Sequence, residues 1–223
     1  MKSRSLFLAL MLLTIPACQK SEIADKPAAE VTETSATSAT TAATDTVAQP
    51  AGAVTRANVI KEKSKIEWVG AKVTRDHNGS FKNFDGGIEY AGTTPQKISF
   101  DIDVNSIESD DEKLTGHLKS PDFFDVAKFP KATFTSTSLT PAGADAPAGT
   151  THMLRGTLDL HGVQKEVVVP VKAEQTAEGV RATSEFTINR HDWGISYRGM
   201  ADDLIKDNVL IKLDLMFPPP PAA

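Results

Sequence analysis

Ile98-Ser99-Phe100-Asp101-Ile102-Asp103-Val104 sets an apolar side chain at every second position and a polar one between. Successive residues of a strand point to opposite faces, so this stretch has one dry face and one wet face when extended. The same period of two recurs along the chain. Val209, Ile211, Leu213, Leu215 and Phe217 repeat it near the end, and Val167, Val169 and Val171 in the middle. Ala182, Ser184, Phe186 and Ile188 share a face, as do Leu154, Gly156, Leu158 and Leu160. Ile66 and Trp68 open the series with Gly70 in phase, and Phe134 sits in a Thr/Ser-rich run over residues 132–139. Asn78-Gly79, Asp85-Gly86-Gly87, His161-Gly162 and Glu178-Gly179 read as turns between strands. Residues 141–150, rich in Ala, Gly and Pro, read as a longer hairpin tip.

Antiparallel strands with one apolar face must close on themselves or pack on a second sheet. The expectation is therefore an all-β domain over residues 56–217, closed as an eight-stranded antiparallel barrel, a size that leaves room for one ligand. One region looks helical. Residues 111–124 place Leu114 and Leu118 four apart and end in Pro121-Asp122-Phe123-Phe124, which predicts a short helical lid over one mouth, from about residue 112 to 124.

The ends read differently. Residues 1–17 combine Lys2 and Arg4 with an apolar run over 6–15 that is too short to span a bilayer as a helix. Ile15-Pro16-Ala17-Cys18 follows, and it resembles a bacterial lipobox, in which the cysteine is diacylated and becomes the mature N-terminus. Two or three acyl chains, at roughly 0.8 kcal/mol per buried CH₂, anchor stably where one does not. Gln19 after the cysteine favours an outer-membrane destination by that analogy, which predicts a periplasm-facing, lipid-anchored protein of the cell envelope. Cys18 is the only cysteine, so a disulfide, a thiolate nucleophile or a Cys-based metal site is excluded once it carries lipid. Residues 18–55 hold Ala, Thr, Ser, Glu, Asp and Pro with no aromatic residue, the composition of a disordered tether. At about 5–6 Å × √n such a chain would hold the domain roughly 30–35 Å from the bilayer. Residues 218–223, four prolines and two alanines, cannot donate to a ladder and stop the last strand. The formal charge is −5, and −7 once the cations Lys2 and Arg4 are removed. No Lys/Arg cluster interleaves with aromatics, which argues against nucleic acid as a partner.

Several motifs taken in order resemble the YceI-like polyisoprenoid-binding family. They are His117-Leu118-Lys119-Ser120-Pro121-Asp122-Phe123-Phe124-Asp125-Val126 and Phe129-Pro130-Lys131-Ala132-Thr133-Phe134. Gly156-Thr157-Leu158-Asp159-Leu160-His161-Gly162-Val163 follows, then Ile188-Asn189-Arg190-His191-Asp192-Trp193-Gly194-Ile195 and Asp207-Asn208-Val209-Leu210-Ile211. Gly79-Ser80-Phe81 with Phe84 fits as well. The match runs from about residue 64 to 215. Where members often carry an Arg-Asp pair before the His-Leu, this chain has Lys113-Leu114-Thr115-Gly116, so the resemblance implies a different headgroup contact. It further implies a lipocalin-like barrel holding an isoprenoid chain, a polyisoprenoid or prenyl quinone, in an elongated apolar cavity.

On that reading the cavity is lined by Phe100, Ile102, Phe134, Leu158, Phe186, Ile188, Trp193, Ile211 and Leu213. His117, Arg190, Phe123 and Phe124 are the candidates at a polar headgroup or lid. Burial at about 25 cal/mol per Å² would hold a prenyl chain without charged or catalytic contacts. No catalytic set is expected. Arg190-His191-Asp192-Trp193 offers neighbours that an extended chain points to opposite faces, so Asp192 would not orient His191; Arg190 is expected to meet a carboxylate at the rim, and Trp193 to pack as a plug. His117, His161 and His191 lie on separate segments without ligand spacing, so no metal is expected; His161 belongs to a turn, bonding backbone. The acidic run over 108–112 lacks the glycine and spacing of a Ca²⁺ loop and reads as a solvated turn before the lid helix. Two other readings stand beside lipid binding: a filled barrel acting as a tethered interaction or stress-protection module, and an enzyme on a prenyl or fatty substrate.

Overall fold

The computed structural model describes residues 21–33, 54–200 and 203–222. Its strands are β1 (Glu30–Glu33), β2 (Val54–Asn58), β3 (Lys65–Ala71), β4 (Asp76–Phe81), β5 (Phe84–Ala91), β6 (Thr94–Asp103) and β7 (Ile107–Ser109). A single α-helix among the described residues, α1 (Glu112–Lys119), separates these from the rest. Then come β8 (Lys131–Pro141), β9 (His152–Leu160), β10 (Val163–Thr176), β11 (Gly179–Asn189), β12 (Gly199–Met200), β13 (Asp203–Leu204) and β14 (Asn208–Phe217). Among the described residues no helix is long and apolar enough to cross a membrane.

The fold is all-β, an antiparallel sheet curled into a half-barrel. Its order is β2–β5–β6–β8–β9–β10–β11–β14–β3–β4–β7, with β1 joining β10 off that path and β12 pairing β13 apart. Eleven strands thus follow one another where eight were expected. Two of the additional members are β2 and β7, five and three residues long, too short for alternation to mark. The curl brings distant elements together. Val59 N–H donates to Gly86 on β5, and Ile60 N–H to Met216 on β14, so the chain after β2 ties two far sides of the sheet.

The turn chemistry decides which end each connection occupies. His161 (φ 53°) and Gly162 (φ 74°) form the β9–β10 turn, both with the positive φ that a tight two-residue hairpin requires. That end also carries the β3–β4 turn, the β11–β14 connection and α1. The β5–β6, β8–β9 and β10–β11 turns occupy the other end. Two expected turns are not turns. Asn78-Gly79 lies inside β4 and Asp85-Gly86-Gly87 inside β5; these glycines serve packing, as shown below. The 141–150 segment is the β8–β9 hairpin tip, and β14 stops at Phe217 before the prolines.

The expected tether needs correction. Residues 1–20, Cys18 among them, and 34–53 lie outside the described residues, but residues 21–33 are folded on the barrel wall. β10 and β11 pair only from Lys172–Thr183 to Thr176–Gly179. Pro170 explains the parting. Its carbonyl faces β11, accepting the Ser184 hydroxyl. In an antiparallel ladder a residue's N–H and C=O face the same neighbour, so the donor that proline lacks is the one β11 would have used. Residues 27–33 fill the gap. Ala29 N–H donates to Thr187 O and Thr187 N–H to Pro27 O, both at 2.8 Å, while β1 pairs residue by residue with Lys165–Val168. Backbone pairing needs no apolar composition, and two small anchors suffice: Ala29 in the main core, and Ile23 against Val69, Ala71 and Leu210.

A candidate ligand cavity

The inward faces of the strands enclose a cavity of about 460 Å³ whose wall is almost wholly apolar. At one end it reaches Thr93, Pro95 and His152 beside the strand tips; at the other it reaches Ala71, Lys72 and His77 and runs beneath α1. That volume lies in the range of small-molecule sites.

Three glycines keep the space open. Gly79 sits opposite Trp68, Gly86 opposite Phe100, and Gly156 beneath Phe134. A Cβ at Gly79 would lie 2.2 Å from the Trp68 ring, one at Gly86 2.2 Å from Phe100, and one at Gly156 2.5 Å from Phe134. Each ring therefore occupies the space that a side chain at the glycine would take, so that part of its bulk sits against bare backbone and not in the lumen. The Trp68 indole N–H is buried there without a hydrogen-bond partner.

The lid is built by a cap. Asp111 accepts the Leu114 N–H at 3.0 Å, starting α1 where a carboxylate suits the helix dipole. That backbone bond, more than the nearby Arg75 charge, holds the Asp111 carboxyl below the ordinary range. Leu114 and Leu118 then face the cavity, followed by Phe123 and Phe124. Asp110 is engaged by His77, whose Nδ1 lies 2.8 Å from its carboxylate. Burial pushes that carboxyl up, but the bonds from His77 and Asn78 N–H outweigh it and leave it lowered.

Of the apolar residues expected at the cavity, Phe100, Ile102, Phe134, Leu158, Phe186, Ile188, Ile211 and Leu213 line it; Phe123, Phe124 and Arg190 do too. Trp193 does not. The segment Arg190–Trp193 is a 3₁₀ turn, not extended chain, and it turns the indole into the core. There Trp193 is 0% exposed and donates to Leu158 O at 3.4 Å, while its own carbonyl meets His161 Nδ1 at 3.1 Å. The same turn leaves His191 with Asp207, at 2.8 Å, rather than Asp192. Arg190 is buried, its guanidinium serving the carbonyls of Ile195, Ile205 and Lys206, with Asp207 at 3.6 Å. Burial draws its pKa down and Asp207 opposes that. Arg190 thus staples the β11–β14 connection while its side chain also borders the cavity.

His117 lies off the cavity as well. Its ring packs edge-on against Phe123 and Tyr197, and Nε2 sits 2.9 Å from Asp122. It borders a smaller recess of about 240 Å³ with Lys72, Arg75, His77, Asp111, Lys113 and Leu114. Lys72, His77 and Leu114 line both spaces, so the recess abuts the cavity. Sequence reasoning missed this edge, with its cations Lys72 and Arg75, because residues 72–77 surround a turn that carries no alternation.

Comparison with known proteins agrees with this architecture. The UPF0312 protein of Pseudomonas fluorescens is 36% identical over 124 residues, 52% of this chain and 63% of that protein. Protein YceI of Salmonella arizonae is 38% identical over 96 residues, 42% of this chain and 47% of that one. The matched region therefore spans about half to somewhat under two thirds of these curated relatives. Among solved structures, BcnA of Burkholderia cenocepacia superposes with a TM-score of 0.61 at 25% identity, covering 70% of this chain and 98% of BcnA. A polyisoprenoid binding domain from Saccharophagus degradans, implicated in plant cell wall breakdown, superposes with a TM-score of 0.59. It covers 74% of this chain and 98% of that domain, and at 20% identity it shows the shared fold. The model of the YceI-like domain matches residues 58–217, from the end of β2 through β14, and this chain belongs to that family.

Proposed function

We propose that this protein binds an apolar, isoprenoid-like lipid without transforming it, and does so in the bacterial cell envelope, held there by acylated Cys18. The observation that carries the reading is the apolar cavity of about 460 Å³ kept open by rings set against glycines. A filled barrel would not need that device. The solved polyisoprenoid binding domain of the same fold supports an isoprenoid as the ligand class. The cavity wall offers almost no polar groups to a substrate. His191 and His117 are paired with carboxylates outside it, which supports carriage over catalysis. Lipobox-like residues 15–18 support the envelope location, with the outer membrane as the proposed destination.

Native mass spectrometry with lipid extraction, on the chain purified from a bacterial envelope, tests this. A co-purified adduct of isoprenoid mass is the expected result. A clean apo mass that does not shift with added prenyl quinones or prenyl phosphates would refute it and favour the tethered interaction module.

A further inference from the structure

We propose that the β3–β4 end of the barrel is the face this protein lays on its own bilayer, an inference that rests on the reading of Cys18 as acylated. Ser21 is pinned at that end. Its hydroxyl lies 2.8 and 3.0 Å from the two carboxylate oxygens of Asp76, and Glu22 N–H donates to the same group at 3.3 Å. Ile23, 8% exposed, is seated against Val69, Ala71 and Leu210, and Lys212 pairs with Glu22. Asp76 is the first residue of β4, directly after the turn. Cys18 precedes Ser21 by three residues, and three peptide units reach at most about 10–11 Å. An acyl chain on Cys18 therefore brings the membrane surface to this end of the barrel, not to the far end of a long tether.

The surface it meets suits a bilayer. Val73 at the tip of the turn is 68% exposed and Leu204 48%, and the two are joined by the Val73 N–H, which donates to Leu204 O at 3.1 Å. Val54, 60% exposed, is the other exposed large hydrophobic residue among those described, and it pairs with Ala91 at the opposite end. Beside the apolar pair, Lys72, Arg75 and Lys113 border the small recess together with Asp111, and the carboxylates of Asp76 and Asp110 lie at the same end. An apolar tip flanked by cations fits the interface of a membrane containing anionic lipid. Docked this way, the lid helix and that edge of the cavity face the bilayer, so a lipid passes between membrane and cavity without crossing water.

The test uses the full chain isolated with its acyl group. Acylation blocks Cys18, the only native cysteine. A single environment-sensitive fluorophore is then placed through Val73→Cys or Leu204→Cys at one end, and through Val54→Cys or Ala144→Cys at the other. In vesicles of phosphatidylethanolamine and phosphatidylglycerol doped with nitroxide-labelled lipid, probes at 73 and 204 should be blue-shifted and quenched several-fold more than those at 54 and 144. Equal quenching at both ends, stronger quenching at 54 and 144, or none anywhere would overturn the docking. Intact mass separates the two failures. A Cys18 without diacylglycerol sinks the anchor reading and the docking with it, whereas an acylated chain with the wrong quenching pattern sinks the docking alone.

Discussion

Gly86→Ala would push the Phe100 ring off the wall and into the lumen. A Cβ at residue 86 stands 2.2, 2.5 and 2.7 Å from three atoms of that ring. Ordinary carbon contacts lie near 3.5 Å, so about 1.3 Å of movement is required. The wall cannot supply it. Gly86 is paired with Phe100 across β5 and β6, and its carbonyl is held by Val59 N–H at 2.9 Å. The ring moves instead, giving up its edge-on contact with Phe217 at 6.3 Å, a kind of contact worth about 0.5–1.5 kcal/mol. Overpacking typically costs about 1–3 kcal/mol, and open lumen beside the ring favours the middle of that range. A loss of about 2 kcal/mol corresponds to a Tm lower by roughly 4–8 °C for a domain of this size. Urea and thermal unfolding of the lipid-free protein measure the stability, and native mass spectrometry reads lipid uptake, which should fall. Phe100→Ala in the Gly86→Ala background should cost less than in the parent, with a coupling of about 1 kcal/mol or more. A Gly86→Ala protein within about 0.5 kcal/mol of the parent, or strictly additive double substitutions, would refute the claim that this glycine holds the cavity open.

Phe186→Asp puts a carboxylate in the apolar cavity wall, and lipid uptake should vanish while circular dichroism still reports a sheet; undiminished uptake would count against the cavity as the binding site. Arg190→Leu leaves the carbonyls of Ile195, Ile205 and Lys206 without their donor, and a stability loss of about 2–4 kcal/mol is expected from urea unfolding. Hydrogen exchange should then locate that loss around residues 190–207. The Arg181 guanidinium holds Asp214 through two bonds of 2.8 and 2.6 Å, and those bonds first, then its charge, keep that carboxyl below its ordinary value. A depressed folded pKa stabilises above the unfolded value of about 3.9 and is lost as pH falls through the folded one. The pair is well exposed, so Arg181→Gln should cause only a small loss of stability at pH 6 and converge on the parent near pH 2; a gap that persists in acid would exclude this linkage.

The alternation around Phe100, Phe186 and Ile211 was enough to predict an all-β domain and eight inward-facing residues, because side-chain direction on a strand is a local property; that they line a cavity and not a filled core was implied only by the family resemblance. The lid was legible for the same kind of reason, with Leu114 and Leu118 on one face, whereas the Asp111 cap that starts it came from the structure. Three features were decided by tertiary structure. Gly79 and Gly86 read locally as turns, yet they sit in mid-strand, since what they accommodate is a ring from a neighbouring strand. Trp193 and His117 belong to short turns and helices whose orientation depends on what packs around them, so the period of two could not say that both miss the cavity. Residues 21–33 read as tether because composition registers apolar burial. What holds them is a ladder of backbone bonds across the gap opened by Pro170, and a gap between two strands exists only once the sheet has curled.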